Sequence, residues 1–130
     1  IGLSEALNYI NKLGLNNIQK YEKELTEYLF DKLLSIEDLN IIGPKPNQDS
    51  MRASLASFFI KNIHSNDIAE ILDSKGICIR SGHHCCQPLH KYLHINSTAR
   101  VSMNFTTTQN DIDIFIDKLE ETIKFLRIHS

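Results

Sequence analysis

Apolar residues recur at helical spacing at both ends of this chain, while the middle holds only short apolar runs. That order restricts the fold more than any other feature. At the start Leu3, Ala6, Leu7, Ile10 and Leu13 form one stripe, and Gly14 stands where a helix C-cap belongs. Asn16 or Asn17 is placed to cap a second helix, striped by Ile18, Tyr21, Leu25, Tyr28, Leu29, Leu33 and Ile36. Both helices read as packing elements. A closing helix carries Ile112, Phe115, Ile116, Leu119, Ile123 and Leu126 inward, opened by a capping box of Thr108 and Asp111.

The middle of the chain reads as strands around one more helix. Leu39–Ile42 and residues 52–61 are expected strands, separated by the breaker run Gly43-Pro44-Lys45-Pro46-Asn47. Ser65 is placed to cap a third helix with Ile68, Ala69, Ile71 and Leu72 inward and Gly76 after it. Residues 77–80 read as a buried strand containing Cys78, and a helical turn follows around residues 89–93. Residues 99–103 alternate, so Ala99, Val101 and Met103 face one way and Arg100, Ser102 and Asn104 the other. Helices on one face of a small mixed sheet would bury these stripes economically, which is a two-layer α/β (α+β) domain.

Composition narrows the classes of function. With 130 residues there is room for one core, and 42% apolar with 23% charged residues excludes disordered, collagenous and coiled-coil chains. Fourteen Lys and Arg against sixteen Asp and Glu leave a net charge of -2, so no broad footprint for nucleic acid or an anionic membrane is expected. No apolar stretch is long enough to span a bilayer as a helix. Three cysteines, two of them adjacent, do not make a secreted disulfide framework, and a reducing compartment is expected. The chain opens Ile1-Gly2-Leu3, with neither methionine nor a signal-peptide pattern, and is expected to be a piece of something longer.

Chemistry concentrates between Arg80 and Arg100, where His83, His84, Cys85 and Cys86 stand in a row. Three readings compete. A zinc site needs four converging ligands, and consecutive side chains diverge, so at most one or two of these could join His90 or His94 around a metal. A reactive thiol needs display at a fixed point and nearby positive charge, which Gly82 as a turn residue, Arg80 and the two histidines could provide. A strand-to-helix loop can also hold such residues for packing alone, and Cys78 is expected in the core on that ground. Arg100 is either a solvated strand residue or a two-pronged grip for a carboxylate.

The string from Gly76 to Leu89, Gly76-Ile77-Cys78-Ile79-Arg80-Ser81-Gly82-His83-His84-Cys85-Cys86-Gln87-Pro88-Leu89, closely resembles the active-site loop of Suf-type cysteine desulfurases. These are pyridoxal-phosphate enzymes of the aminotransferase class V group, related to selenocysteine lyases. Thr98-Ala99-Arg100-Val101-Ser102 resembles the second signature of that family, fifteen residues on from Cys85. The resemblance implies the C-terminal domain of a fold-type I pyridoxal-phosphate enzyme, with residues 1–40 a helical segment leaving a large domain and 41–130 the small domain. It makes Cys85 the nucleophile that takes sulfur from L-cysteine as a persulfide, releasing L-alanine, for iron–sulfur cluster assembly. Arg100 would bind the substrate carboxylate, with Arg80, His83 and His84 lining the pocket. L-Selenocysteine would be a second substrate, a Suf-type protein the sulfur acceptor, a homodimer the complete assembly, and the cytoplasm or a plastid-like organelle its place. No metal is implied.

This sequence departs from that family's pattern in two respects. Position 86, commonly a small residue such as alanine in the family, is Cys86, which is therefore expected to turn toward the domain's own core. No lysine matches the cofactor's Schiff-base segment, so this chain alone is expected to be inactive. The rival class is a non-enzymatic thiol-bearing carrier of sulfur or metal.

Overall fold

The computed structural model describes residues 1–46 and 52–129. The order is α1 (Gly2–Leu13), α2 (Leu15–Leu34), β1 (Leu39–Ile42), β2 (Leu55–Ile60), α3 (Ser65–Ser74), β3 (Arg80–Gly82), α4 (Gln87–Tyr92), β4 (Thr98–Ser102) and α5 (Gln109–His129). This is the expected succession of elements. Asn47, the last residue of the expected breaker run, lies outside the described residues.

The four strands form one sheet in the order β1-β2-β4-β3, and every neighbouring pair is antiparallel. A mixed sheet was the expectation, and the insertion of β4 is the reason it fails. The crossover from β2 through α3 returns β3 to the far edge, and β4 slots between the two, antiparallel to both. Parallel neighbours therefore never form.

The sheet has two unlike faces. Ala56, Phe58, Ile60 and Ala99 are buried against Leu25, Leu29, Phe30 and Leu33 of α2, Ile68 and Leu72 of α3, and Ile112, Phe115, Ile116, Leu119 and Ile123 of α5. Removing a side chain such as Leu29 from water stabilises the fold by roughly 1.5–3 kcal/mol. The buried Thr26 and Thr122 stay satisfied by donating to the carbonyls of Glu22 and Lys118, one helical turn back. Tyr28 donates to Asp113 (2.7 Å), which also pairs with Lys32 (3.1 Å), pinning α2 to α5. The capping box forms as read: Asp111 N–H donates to Thr108 Oγ1 and Thr108 N–H to Asp111 Oδ2. The opposite face carries Ser57 paired with Arg100 and Leu55 paired with Ser102, and among the described residues α4 lies over it. Helices thus lie on both faces, three against one.

Two local expectations are corrected. The strand expected at 77–80 pairs only from Arg80 onward, because the chain before it is still tied to the end of α3, where Ile77 N–H donates to Leu72 O. Cys78 is consequently exposed, with its thiol 3.5 Å from Asp73 Oδ1, and is not a core residue. That carboxylate holds the thiol above its ordinary titration range. Helix α2 begins at Leu15 behind Gly14, without a side-chain cap, and Asn17 instead donates to Leu13 O at the end of α1. No side chain of α1 is buried, and Leu3 and Leu7 are exposed.

Candidate active site

The loop from β3 to α4 is held in an unusual backbone conformation. Gly82 has φ +111°, and the next non-glycine residues in the left-handed region are consecutive: His84 at φ 52° and Cys85 at φ 61°. Two such residues in succession cost of order 1–3 kcal/mol each and persist only where the surroundings over-determine them. Here Cys86 N–H donates to His83 O (2.9 Å), closing the turn, and the Cys86 thiol donates to the same carbonyl (2.9 Å). His84 Nε2 lies 3.0 Å from the carbonyl of Thr98, which places the proton on Nε2 and ties the loop to β4. Pro88 in the first turn of α4 fixes the start of the helix. The outcome is that Cys85 stands exposed at the tip of a braced turn, while Cys86 is half-buried behind it.

Cys86 does not turn into the domain core. It lines a cavity of about 190 Å³ on the open face of the sheet, together with Ser57, His84, His90, Thr98 and Arg100. Cys85, His83 and Arg80 are not in that lining. The adjacent thiols therefore do diverge, with the sheltered position taken by Cys86. His90 is buried, with Nδ1 at 3.8 Å from Cys86 Sγ and 3.2 Å from Cys86 O, and Nε2 at 3.2 Å from Thr98 Oγ1. The sequence reading considered His90 only as a metal ligand. Its spacing four residues after Cys86, on one face of a helical turn, was the signal that identifies it as the thiol's neighbour.

Arg80 and Arg100 are direct cross-strand partners in the β3–β4 ladder, so both guanidinium stems leave the same face of the sheet. Like charges placed directly opposite destabilise a sheet by a few tenths of a kcal/mol up to about 1 kcal/mol. Among the described residues no ion pair reaches either arginine, and Arg100 Nε is buried without an acceptor. His84 Nδ1, also lining the cavity's surroundings, is likewise buried and unpartnered. A donor and an acceptor left open beside two cations describe a place for an anion with polar groups of its own.

Burial holds the His84 imidazole below its ordinary value of 6.5; the Thr98 carbonyl opposes this, and the charges of Arg100, Arg80 and His90 reinforce it. With the folded value depressed, the unfolded state binds the extra proton more readily, so His84 contributes stability above pH 6.5 that is lost on acidification below it. In a ¹H–¹⁵N titration the His84 midpoint should fall below 6.5, and Arg100→Gln should raise it. A midpoint unmoved by the loss of that charge would show that the two side chains do not share the site. Among the described residues no group of three or more His, Cys, Asp or Glu is placed to hold a metal ion.

The aminotransferase class-V family profile matches residues 1–115, and the chain belongs to that family. It is 45% identical over 125 residues to a probable cysteine desulfurase of Synechocystis sp., covering 96% of this chain and 30% of that protein. A probable cysteine desulfurase of Staphylococcus epidermidis is 43% identical over the same coverage. Among solved structures, the apo cysteine desulfurase from Thermococcus onnurineus NA1 superposes with a TM-score of 0.86 at 33% identity, over 95% of this chain and 30% of that one. The cysteine desulfurase CsdA of Escherichia coli, in an S-sulfonic acid form, gives 0.82 at 27% identity over the same shares. The chain thus spans about 30% of the length of the relatives it matches. No helix among the described residues is long and apolar enough to cross a membrane.

Proposed function

We propose that this chain is the thiol-bearing, C-terminal part of a pyridoxal-phosphate-dependent cysteine desulfurase of the Suf type. One observation carries the reading: Arg80 and Arg100 stand opposed and unpaired on the sheet face beside a loop that displays Cys85. A substrate carboxylate bridging the arginines relieves their repulsion and gives the buried Arg100 Nε its missing acceptor. L-Cysteine held there by its carboxylate presents its sulfur to a neighbouring thiolate. Overall, L-cysteine and the Cys85 thiol become L-alanine and a Cys85 persulfide, with one sulfur atom transferred and no other reactant consumed.

Among the described residues no lysine lines the cavity beside Arg100, so none stands there as a covalent anchor for pyridoxal phosphate. In the complete enzyme that cofactor contributes the electron sink, and this chain contributes the carboxylate grip and the sulfur acceptor. The uncovered apolar stripe of α1 fits a helical segment, residues 1–40, that meets a large domain, with 41–130 as the small domain. The same reading makes the complete enzyme a homodimer and its acceptor a Suf-type protein feeding iron–sulfur cluster assembly, with L-selenocysteine as a second substrate. Three free thiols suit a reducing compartment, the cytoplasm or a plastid-like organelle. A carrier module without catalysis is not favoured, since the relatives matched over 96% of this chain are probable cysteine desulfurases.

The test compares the complete enzyme with residues 1–130 alone, each given pyridoxal phosphate and L-cysteine. The complete enzyme should form alanine and protein-bound sulfane sulfur, and the isolated chain neither colour nor alanine above that of the free cofactor. Alanine released by the isolated chain well above background, or none by the complete enzyme, would overturn the reading.

A further inference from the structure

We propose that Thr98 and His90 are positioning residues for sulfur transfer, tethering the Cys85 turn at a fixed distance from Arg100. The proposal rests on the desulfurase reading for the reaction served, and on hydrogen-bond geometry for the tether itself. Two connections meet at Thr98, one from each side of Cys85. Before Cys85, His84 Nε2 donates to the Thr98 carbonyl (3.0 Å). After it, the Cys86 carbonyl lies 3.2 Å from His90 Nδ1, and His90 Nε2 lies 3.2 Å from Thr98 Oγ1. Cys85 itself is exposed, so its place is set by these flanking residues.

The proton positions follow from the partners. A carbonyl only accepts, so His90 Nδ1 carries the ring proton and donates to Cys86 O. That leaves Nε2 as the acceptor for the Thr98 hydroxyl. The Cys86 thiol is engaged with His83 O (2.9 Å). With its nitrogens so committed, His90 holds the turn and moves no proton. The set is also dry: Thr98 is 1% and His90 4% exposed, so water does not compete for these bonds. Cys86 O accepts the N–H groups of Leu89 (3.0 Å) and His90 (3.3 Å) as well, which makes the end of the thiol turn and the start of α4 one unit.

The place of Thr98 gives the tether its meaning. Thr98 and Arg100 both line the cavity, while Ala99 between them belongs to the core. Two residues along one strand span about 7 Å. The thiol turn is thus tied to the strand that carries the carboxylate grip, two residues before it. Transfer needs the thiolate aligned with the bound sulfur, and a misplacement of about 1 Å can cost roughly a hundredfold. His84 and Cys85, at φ 52° and 61°, hold a conformation that local preference opposes, so the turn relaxes when either connection is cut.

The experiment uses the complete enzyme carrying Thr98→Val, which keeps the side chain's shape and removes its hydroxyl, with His90→Leu as the second variant. In a single turnover with L-cysteine, sulfane sulfur should reach Cys85 roughly 10- to 100-fold more slowly in each, with substrate affinity held within about twofold. That is the reverse of the split expected when Arg100 loses its fork. Thr98→Ser, which restores the hydroxyl, should return transfer to near the wild-type rate. The double variant should be no slower than the slower single one, because both cut the same connection. Amide hydrogen exchange, read by mass spectrometry without substrate, should quicken across residues 83–87 and stay unchanged in β2 and α5. Wild-type transfer in Thr98→Val, additive losses in the double variant, or unchanged loop exchange would each overturn the positioning role. Exchange quickened throughout the domain would overturn it in favour of plain stability. Absence of both alanine and sulfur in the wild type would remove the desulfurase reading and this role with it, a failure told apart by loop exchange that still quickens in Thr98→Val.

Discussion

In the complete enzyme, Cys85→Ser should abolish protein-bound sulfane sulfur while leaving the affinity for L-cysteine within about twofold. The loss is total because a serine oxygen cannot carry a sulfane sulfur, whatever its reactivity. The substitution should spare the fold. Cys85 is exposed and its side chain supports no core contact, while the left-handed backbone at this position (φ 61°) is held by bonds made by its neighbours, the Cys86 N–H and the His84 ring. The proposed carboxylate grip should also be untouched, since Arg100 stands on β4 and Cys85 lies outside the lining of its cavity. Mass spectrometry of the loop peptide after incubation with L-cysteine reads the sulfur, and substrate titration reads the affinity. Retained sulfur transfer would mean that the exposed thiol is not the first acceptor.

The elements were legible in the sequence wherever periodicity was long or a local device was complete. The α5 stripe and the Thr108–Asp111 box each carry their own geometry and formed as read, and the α2 stripe did so at Leu25, Leu29 and Leu33, though Tyr21 is exposed and Ile36 lies past the end of the helix. What failed was what depends on neighbours. No residue in 77–80 announces that hydrogen bonding to β4 starts only at Arg80, and so Cys78 was assigned to a core it does not enter. Sheet direction was equally invisible, because it follows from β4 lying between β2 and β3. The site shows the same division. The loop's residue types pointed to a displayed thiol. Which of two adjacent thiols is sheltered depends on consecutive left-handed residues, His84 and Cys85, a conformation that local preference argues against in any non-glycine pair. The opposition of Arg80 and Arg100 became visible only with the strand register.

That opposition makes the second large effect a split between binding and stability. Arg100→Lys in the complete enzyme should raise the KM for L-cysteine by roughly 10- to 100-fold, because a charge-assisted pair of parallel hydrogen bonds contributes about 1.5–3 kcal/mol and a lysine cannot reproduce the fork. The fold should not suffer in proportion. Arg100 lies on the face of β4 opposite the core and has no ion-pair partner among the described residues, so its removal breaks no structural bond of known geometry. Arg100→Ala should go further and leave the domain as stable as before or slightly more so, since the like charge of Arg80 directly across the ladder is then unopposed. Arg80→Ala should weaken binding less than Arg100→Ala, because Arg80 is the exposed member on the edge strand and lies outside the cavity lining. Urea titration beside steady-state kinetics separates the two quantities. If Arg100→Ala lowered stability by more than about 1 kcal/mol while cysteine affinity held, Arg100 would be a structural residue of the strand. An arginine standing opposite another arginine, at a cost to the sheet, is the arrangement that the proposed bridging carboxylate requires.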